Sequence, residues 1–465
     1  MSEKFKIKFL LLGGEWRETE RTFDVRSPFS GDLLGKASTA NQSQIEEAIV
    51  AAHIAANEMR DLTRFEAAAG LQKIADGIKN RREEFAQTIA LEAAKPIMAA
   101  RGEVDRAVST FEIAASEARS FVGDVVPVDA QAFGKGRFAW TERIPRGIIF
   151  GITPFNFPIN LVAHKVAPAL AARNAIIVKP SPRTPLTAIL LGAVFLESGL
   201  PKSALQIINM DVELINAVLR DERINMVSFT GSAEIGWKIR AKAARKAVAL
   251  ELGGNAPVII DETLLQDEAA FERSLARSVM GAFSYAGQIC ISAQRFYLHE
   301  TIFDAWTNEF VKRAENLKIG DPLDEQTELA VMIDEAAAKR AESWVDEAID
   351  NGAKLLCGNK RTGALLNATV LTNTEPEMRV VAEEVFAPVA VVEKFTDFDQ
   401  AIEMANQTKY GLQAGVFTRD LARARTAGNK LEFGGVLIND VPTFRVDNMP
   451  YGGVKASGFG REGVR

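Results

Sequence analysis

The chain has 465 residues, of which 47% are hydrophobic and 25% are charged, and its formal net charge is −6. This length exceeds what a single hydrophobic core usually holds, so two or more domains are expected. The charge balance lacks the basic surplus of a nucleic-acid-binding protein, and no apolar stretch approaches the ~20 residues that cross a bilayer. Composition therefore favours small-molecule chemistry, with no nucleic-acid and no membrane partner.

The chain contains only two cysteines and three histidines, and none of them is clustered. This count argues against a disulfide framework and fits a reducing compartment, while the missing Cys/His spacing argues against a metal site. The apolar run at 9–12 is too short for a signal peptide, and two glycines follow it without a cleavage site. These features predict a cytoplasmic protein without a bound metal.

The amino-terminal part of the chain has the periodicity of helices. Apolar residues recur at three- and four-residue spacing from residue 44 onwards, over 63–94, and again over 99–121 after the interruption Lys95-Pro96-Ile97. Residues 122–146 alternate in polarity with little helical signal. We therefore expect helices up to residue 121, followed by extended arms.

From residue 147 the pattern alternates between strand and helix. Strands are predicted at 147–152, 175–178, 204–208 and 226–229, with helices at 160–172, 185–198 and 212–219 between them. This alternation is typical of a parallel, doubly wound sheet with helices on both faces. Ligands of such sheets bind beyond the carboxyl ends of the strands, where Thr153, Lys179 and Thr230 lie.

A second α/β region is predicted over 252–432. Its strands are expected near 256–260, 296–299, 354–357, 390–394 and 415–417. Residues 442–463 are rich in glycine and irregular.

Cys290 follows an apolar, helix-like run at 271–285, and Gly287 interrupts that pattern just before the thiol. A cysteine at such a break can face a cleft and act as a nucleophile. Free cysteines are more often buried small hydrophobes, so both interpretations stay open at this point. Cys357 is expected at a strand end, without a chemical role.

Glu251 and Asn156 are two further candidates. Glu251 precedes two glycines at the end of an apolar run, which indicates either a general base delivered to a cleft or a plain strand-end carboxylate. Asn156 lies between Pro154 and Pro158, which prevent regular structure, so its amide can be aimed at a developing oxyanion.

Residues 229–236, Phe-Thr-Gly-Ser-Ala-Glu-Ile-Gly, predict a strand, a turn and the start of a helix. Free N–H groups at such a helix start suit a phosphate, although Ser232 can also serve only as a helix cap. The Gly-x-Gly-x-x-Gly fingerprint is not found in this region.

Seven segments in a single order, spanning essentially the whole chain, resemble the NAD(P)-dependent aldehyde dehydrogenases. They are TPFNFP (153–158), VKPS (178–181), FTGSAEIG (229–236), ELGGN (251–255), GQICIS (287–292), EEVFAPV (383–389) and YGGVKASGFGREG (451–463). Residues 438–455 and the stretch GQICISAQR are most similar to the lactaldehyde and phosphonoacetaldehyde branch.

The resemblance implies an α/β fold with two doubly wound domains, one binding the cofactor and one catalytic, plus a small β oligomerisation arm. The predicted boundaries are 1–121 and 143–251 for the cofactor-binding domain, 252–432 for the catalytic domain, and 122–142 and 433–465 for the arm and carboxy-terminal segment. It also implies a homodimer or homotetramer. Relatives usually continue beyond the position matched by Arg465 with a strand of the oligomerisation sheet, so the arm at 122–142 is expected to support dimerisation.

By the same resemblance, Cys290 attacks the aldehyde, its N–H and the Asn156 amide hold the oxyanion, and Glu251 activates the water that hydrolyses the thioester. Lys179 would bind the adenosine ribose and Ser232 would lie near the pyrophosphate. Glu384 and Phe386 would contact the nicotinamide ribose and ring. The full predicted set for NAD or NADP is Ile152, Thr153, Pro154, Lys179, Ser181, Pro182, Arg183, Thr230, Gly231, Ser232, Glu384 and Phe386.

Two departures from the family pattern bear on specificity. NAD-preferring members often carry a glutamate where this chain has Pro182, and Arg183 follows, so we expect dual or NADP-leaning cofactor use. Phosphate-using relatives tend to carry a basic residue at the positions of Phe157 or Ile289, which are apolar here. A small neutral, hydroxylated or carboxylated aldehyde is therefore expected. The predicted substrate residues are Phe157, Arg106, Ile289, Ile291 and Arg445.

Two alternatives are kept. A CoA-acylating semialdehyde dehydrogenase needs no hydrolytic base, and the presence of Glu251 argues against it. A non-catalytic binding protein on the same fold would have no use for Cys290, Glu251 and Asn156 together.

Overall fold

Two β-sheets, each flanked by helices, form two α/β units in the computed structural model, which describes residues 9–464. The strands in chain order are β1 Leu10–Leu12, β2 Glu15–Arg17, β3 Thr22–Arg26, β4 Leu33–Ser38, β5 Val125–Val126, β6 Ala139–Trp140, β7 Ile148–Ile152, β8 Ala175–Lys179, β9 Leu205–Ile207, β10 Ile224–Thr230, β11 Ala247–Glu251, β12 Ala256–Ile260, β13 Ala293–His299, β14 Lys354–Cys357, β15 Arg361–Thr362, β16 Leu365–Leu366, β17 Thr369–Thr372, β18 Val389–Phe395, β19 Gln413–Phe417, β20 Gly435–Ile438 and β21 Gly458–Phe459.

The helices surround these sheets. In chain order they are α1 Gln42–Asp61, α2 Arg64–Asn80, α3 Arg82–Ala93, α4 Ile97–Ser120, α5 Asn160–Ala171, α6 Pro185–Leu196, α7 Val212–Arg220, α8 Ala233–Lys242, α9 Glu268–Phe283, α10 Glu300–Glu315, α11 Glu335–Asp350, α12 Arg379–Ala382, α13 Phe398–Asn406 and α14 Leu421–Lys430.

The first sheet has eight strands in the order β2-β1-β9-β8-β7-β10-β11-β21. Strands β7 to β11 are parallel, and the antiparallel β1, β2 and β21 complete the edges. All five residues of β7 are buried, since helices cover both faces of a parallel sheet. The predicted doubly wound fold is confirmed, and the run at 10–12, weighed above as part of a leader, is a core strand of this sheet. Residues 1–8 lie outside the described residues.

The second sheet has seven strands in the order β14-β17-β18-β13-β12-β19-β20, and β14 alone pairs antiparallel with its neighbour. Two of its strands, β17 and β20, were not predicted from the sequence. Strand β20 belongs to this sheet and β21 to the first, so the stretch 433–465 contributes to both units instead of forming a separate segment.

An outer layer of helices packs on the first sheet and supports its loops. The run at 63–94 forms two helices and not one, because the backbone at Arg81 leaves the helical region with φ −108° and ψ 21°. Two buried carboxylates of this layer bond the first turns of neighbouring helices. Glu92 accepts from the N–H groups of Leu186 and Thr187 on α6, at 2.8 and 2.9 Å.

Glu103 bonds the start of α5 in the same way, and accepts hydrogen bonds from the N–H groups of Ile159 and Asn160 at 3.0 and 3.1 Å. It also forms a buried ion pair with Lys95. The outer helices therefore hold the loops that lead into α5 and α6.

Strands β5 and β6 form a short antiparallel hairpin, with Val125 opposite Trp140. The hairpin and its flanks expose several large apolar side chains, among them Val125, Phe133, Phe138 and Trp140. Among residues 9–464, no helix has the length and apolar character required to cross a membrane.

Candidate active site

The carboxyl ends of the parallel strands of the first sheet face the second unit across a cavity of about 390 Å³. Nine of the predicted site residues line it: Pro154, Asn156, Thr230, Gly231, Ser232, Glu251, Cys290, Glu384 and Phe386. The wall also contains Arg340, which was not predicted. The arrangement agrees with the rule that ligands of open α/β sheets bind beyond the strand ends.

Cys290 follows a turn of unusual backbone. Tyr285, Ala286 and Gly287 have φ values of 49°, 52° and 66°, in the left-handed region. A β-carbon at position 287 would overlap the carbonyl oxygen of Ala387, so only glycine fits there. The Tyr285 hydroxyl anchors the turn by donating to the Ala93 carbonyl at 2.9 Å. This strained turn follows directly after the end of α9 and places the thiol at the cavity.

The Cys290 thiol is partly buried, with its Sγ 3.4 Å from the Tyr451 hydroxyl. Burial raises the pKa of Cys290 to about 11, while the Tyr451 hydroxyl and the Arg445 charge act in the opposite direction. The thiol therefore needs help from its surroundings to ionise near neutral pH.

Asn156 is buried in the loop between β7 and α5. Its Nδ2 donates to the carbonyl oxygen of Gln288, two residues before the thiol, at 2.9 Å. An amide nitrogen carries two hydrogens, so one remains for an oxyanion formed at Cys290. The bond also fixes the side chain relative to the cysteine loop.

Glu251 is the last residue of β11 and is only 4% exposed. Neither of its carboxylate oxygens has a hydrogen-bond partner among the described residues. Burial and, next, the charge of Glu462 raise the pKa of Glu251 well above its usual value, against the effect of Lys165, Arg445 and Arg461. A buried, unpartnered carboxylate with a raised pKa has the properties of a general base that works near neutral pH.

The residues after Glu251 join the two units. The Gly254 N–H donates to Oε1 of Glu384 at 3.0 Å, and a β-carbon at 254 would overlap the carbonyl oxygen of Cys290. The glycine allows the strand end that carries the base to pack directly against the loop that carries the thiol.

Several groups fit a dinucleotide. Ser232 begins α8 without capping it through its side chain, so N–H groups of that helix start are free for a phosphate. Burial lowers the pKa of Lys179 to about 8, and its amine has no partner among the described residues, which suits a ribose hydroxyl. Burial raises the pKa of Glu384 to about 7.

The other predicted cofactor residues lie at the end of β7 and in the loops that follow β7 and β8. Ile152 ends β7, and the Thr153 N–H donates to the Lys179 carbonyl at 3.1 Å. Ser181 accepts from the Arg183 N–H at 3.2 Å in the loop that includes Pro182. The Arg183 guanidinium forms an ion pair with Asp334 of the second unit, at 2.6 Å.

The family model for the aldehyde dehydrogenase family matches residues 16–465, nearly the whole chain. The chain belongs to the aldehyde dehydrogenase family. The 3-sulfolactaldehyde dehydrogenase of Priestia aryabhattai is 41% identical over 458 residues, covering 98% of this chain and 94% of that protein. The lactaldehyde dehydrogenase of Methanocaldococcus jannaschii is 39% identical over 98% of this chain and 96% of that protein. These relatives confirm the predicted similarity to the lactaldehyde branch.

Solved structures agree in fold. Aldehyde dehydrogenase 21 of Physcomitrella patens, a complex with the reaction product succinate, has a TM-score of 0.96, 41% identity and coverage of 99% of this chain and 96% of that chain. Glyceraldehyde-3-phosphate dehydrogenase of Methanocaldococcus jannaschii, complexed with NADP, has a TM-score of 0.91, 38% identity and coverage of 96% of both chains. A betaine aldehyde dehydrogenase variant of Staphylococcus aureus with NAD+ has a TM-score of 0.92, 32% identity and coverage of 98% and 92%.

This protein is thus an aldehyde dehydrogenase of the NAD(P)-dependent class, as predicted. Its predicted substrate residues lie outside the cavity wall described above. Ile289 and Ile291 flank Cys290, and Ile291 packs against Leu412 and Tyr451. The Phe157 ring, next to Asn156, covers the buried Lys95 amine at 3.6 Å from its centroid.

The two predicted arginines of this aldehyde dehydrogenase belong to one charged cluster, which also contains His164, Lys165, Asp447 and Glu462. Arg106 pairs with Asp447 at 2.8 Å. Arg445, with a side chain only 5% exposed, lies 3.7 Å from Glu462 and 3.3 Å from Nδ1 of His164. Lys165 pairs with Glu462 at 3.0 Å.

The charges of this cluster do not cancel. Burial and the Arg445 charge lower the pKa of His164, so the imidazole is neutral near pH 7. Three cations, Arg106, Lys165 and Arg445, then face two carboxylates, Asp447 and Glu462, which leaves one positive charge in excess. Arg461 offsets the charge of Glu251 when that carboxylate is ionised, so the excess remains.

Sequence reasoning missed Lys165, Glu462, Tyr451 and Arg340. Lys165 had a detectable signal, because a lysine in the middle of the apolar helix α5 needs a buried partner, and its amine also donates to Ser228 and Thr230 at 3.1 and 2.7 Å. Tyr451 and Glu462 lie in the motif 451–463, which indicated the family without giving either residue a role, and Arg340 lies outside every motif.

Proposed function

We propose that this aldehyde dehydrogenase oxidises a small aldehyde to its carboxylic acid by covalent catalysis at Cys290. The observation that carries the proposal is that Cys290, the Asn156 amide and the unpartnered Glu251 line one cavity together with Ser232 and Glu384. A thiolate at Cys290 attacks the carbonyl carbon, and the Asn156 Nδ2 and the Cys290 N–H stabilise the oxyanion of the thiohemiacetal.

Bound NAD or NADP supplies the hydride acceptor that turns this intermediate into a thioester. Lys179, Ser232 and Glu384 would hold the dinucleotide, and Phe386 would lie beside the nicotinamide. Phe386 is kept in place by an edge-on contact with Phe155, at 6.0 Å between ring centroids.

Glu251 then removes a proton from the water that attacks the thioester, and the carboxylic acid is released. Its free oxygens and raised pKa suit this step, whereas transfer to CoA would need no base. These features favour the hydrolytic reaction over the CoA-acylating alternative, and a non-catalytic role leaves the buried, unpartnered carboxylate without an explanation.

We further propose that the aldehyde carries an anionic group, a carboxylate or a sulfonate. The positive excess of the charged cluster beside Tyr451 supports this class, since Nε of Arg445 and of Arg106 are buried without a partner among the described residues. Phe157 and Ile289 are apolar where phosphate-using relatives tend to carry a basic residue, which favours a carboxylate or sulfonate over a phosphate. Relatives named for sulfolactaldehyde and a solved relative with succinate fit the same class.

Replacing Arg445 by Gln is expected to lower kcat/KM for an anionic aldehyde about 10- to 100-fold more than for a neutral aldehyde of equal length, the range for a lost hydrogen bond between charged groups. The quantity compared is the ratio of kcat/KM for the anionic aldehyde to kcat/KM for the neutral aldehyde, because any loss of thiol reactivity lowers both values alike. An equal loss for succinic semialdehyde and butanal would contradict the proposed anion site.

For the cofactor, we propose dual or NADP-leaning use, with Arg183 as the partner of the 2′-phosphate. Asp334 competes for Arg183, since the two form an ion pair at 2.6 Å. Replacing Asp334 by Asn should therefore tighten NADP+ binding several-fold, to about tenfold at most for an exposed pair, and leave NAD+ binding unchanged. Asparagine keeps the capping of α11 that Asp334 provides through Ala337.

Titration of NAD+ and NADP+ against the wild type, Asp334→Asn and Arg183→Gln measures this effect directly as dissociation constants. Arg183→Gln should weaken NADP+ binding only. A strong NAD+ preference of the wild type, or equal effects on both cofactors, would reject Arg183 as the determinant.

We also propose that copies of the chain assemble as a homodimer or homotetramer through the β5–β6 hairpin, because its exposed apolar side chains need a partner. Both cysteines are free thiols, which supports the predicted cytoplasmic location.

A panel of short aldehydes, neutral, hydroxylated, carboxylated and sulfonated, assayed with NAD+ and with NADP+ tests the proposed function. We expect acid and reduced cofactor to form in equal amounts, fastest with an anionic aldehyde. Failure of every aldehyde in the panel with both cofactors would reject the proposal.

A further inference from the structure

Tyr451 is held rigidly beside the thiol. Its backbone forms an antiparallel bridge with Glu462, with N–H to carbonyl distances of 3.2 and 2.8 Å in the two directions. Its ring packs against Ile291 and Leu412 in a small buried cluster. These contacts place the hydroxyl 3.4 Å from Sγ of Cys290, within the range of a hydrogen bond to sulfur.

The direction of this bond follows from the chemistry of the two groups. A thiolate has no proton, so in the reactive form of the site only the phenol can donate. Burial raises the pKa of Tyr451 well above its usual value, and the phenol therefore keeps its proton over the whole working range.

Arg445 places a positive charge against the face of the Tyr451 ring. Its guanidinium carbon lies 3.8 Å from the centroid of the Tyr451 ring. A cation over the face of a phenol draws electron density from the ring and makes the hydroxyl a stronger donor. Its charge also favours a thiolate at the neighbouring sulfur.

From this geometry we propose that Tyr451 is a further catalytic residue, whose hydroxyl donates a hydrogen bond to the Cys290 thiolate and thereby increases the fraction of the nucleophile that is ionised at a given pH. The inference rests on the proposed function in one respect only, the assignment of Cys290 as the nucleophile. It accounts for part of the stabilisation of a thiolate in an apolar setting, between Ile289 and Ile291, without a histidine beside it.

Other charged groups also face the sulfur. Glu251 at the end of β11 and Glu384 after α12 oppose ionisation, and Arg445 in the carboxy-terminal segment favours it. The Tyr451 hydroxyl is the only one of these groups in direct contact with Sγ among the described residues. Its removal should therefore shift the ionisation of the thiol without changing the surrounding charges.

The test is the rate of alkylation of Cys290 by iodoacetamide as a function of pH, in the wild type and in Tyr451→Phe, without substrate or cofactor. Phenylalanine keeps the ring, its packing and its contact with Arg445, and removes only the donor. Tyr297→Phe is a matched control, because Tyr297 is also buried, also has an arginine, Arg295, near its ring, and belongs to a separate apolar cluster. Its hydroxyl accepts a hydrogen bond from Arg295 at 3.0 Å. Mass spectrometry identifies the alkylated cysteine, and thermal unfolding confirms that each variant is folded.

Loss of a hydrogen bond to a charged group should raise the alkylation pKa of Tyr451→Phe by about one unit, equivalent to a tenfold slower reaction at neutral pH. As the pH rises towards these pKa values the difference between the two rates should narrow, since a growing share of both thiols is then ionised. Tyr297→Phe should follow the wild-type curve. A Tyr451→Phe curve that coincides with the wild type overturns the inference.

The outcomes separate the two proposals. A shifted alkylation curve in an enzyme that oxidises no aldehyde would reject the proposed function and leave the role of Tyr451 in thiol ionisation standing. Aldehyde oxidation by Cys290 with an unshifted curve would do the reverse.

Discussion

Replacing Cys290 by Ser is expected to reduce the formation of NADH or NADPH from an aldehyde by about 10⁴-fold or more, the scale of nucleophile removal in enzymes with covalent intermediates. Serine preserves the size of the side chain, but its hydroxyl is far less acidic than a thiol. The residues that stabilise a thiolate at this position, Tyr451 and Arg445, act on a sulfur with a pKa of about 11 and cannot ionise an alcohol. The measurement is the steady-state absorbance of the reduced cofactor.

The second cysteine of the chain offers a matched control. Cys357 is buried at the end of β14, far along the chain from the cavity, with its Sγ 3.9 Å from the Ala368 carbonyl. Cys357→Ser should retain most of the wild-type rate, and Cys290→Ser should still bind NADP+ with unchanged affinity. A Cys290→Ser variant with more than a few per cent of wild-type activity would show that the thiol is not the nucleophile.

Replacing Glu251 by Gln should separate the two halves of the reaction. Loss of a general base typically lowers a rate by about 10²- to 10⁴-fold, and here it should lower kcat by that factor. The first half of the reaction, up to the thioester, involves no hydrolysis and does not need this base. A burst of about one equivalent of reduced cofactor per active site should therefore survive in a stopped-flow experiment. A variant without the burst would place Glu251 in the first half of the reaction instead.

The same residue sets the expected pH dependence. Burial and Glu462 raise the pKa of Glu251, so the wild-type kcat should fall as the pH drops through a value well above the usual range of a glutamate. Lys165, Arg445 and Arg461 face the same carboxylate and limit the shift. The acidic limb should disappear from the residual activity of Glu251→Gln, and a limb at the ordinary carboxyl pKa would contradict the assignment.

The alternation of strands and helices was predictable because buried parallel strands read as continuous apolar runs, as in β7, β8 and β12. The break of the helical run at Arg81 was not predicted, although the weak helix formers Gly77 and Asn80 precede it, because the apolar spacing continues across it. Strand β20 was missed for another reason. It is short, follows glycines and is stabilised by pairing with β19, a contact that no local pattern contains.

For the site, the positions of Cys290, Glu251 and Asn156 followed from motifs at turns and strand ends, and the structure brings them to one cavity. Their roles in the reaction remain predictions. The environment of each group was beyond sequence reasoning, because Tyr451 and Cys290 are separated by 161 positions and meet only in the folded chain. The ion pair of Arg183 with Asp334 is a similar case, since it depends on how the two units face each other.

Strand β11 ends at Glu251 in the first sheet, and β12 begins at Ala256 in the second sheet, so only Leu252, Gly253, Gly254 and Asn255 separate the proposed base from the unit that carries the thiol at this crossing. The first unit thus carries the proposed base, and the second unit carries the proposed nucleophile. Hydrolysis of the thioester requires the two units to be correctly oriented relative to each other. A chimaera that joins the first unit of this chain to the second unit of a relative inherits a base and a nucleophile from different parents. Its activity would measure how similar the relative orientation of the two units across residues 252–255 is among family members.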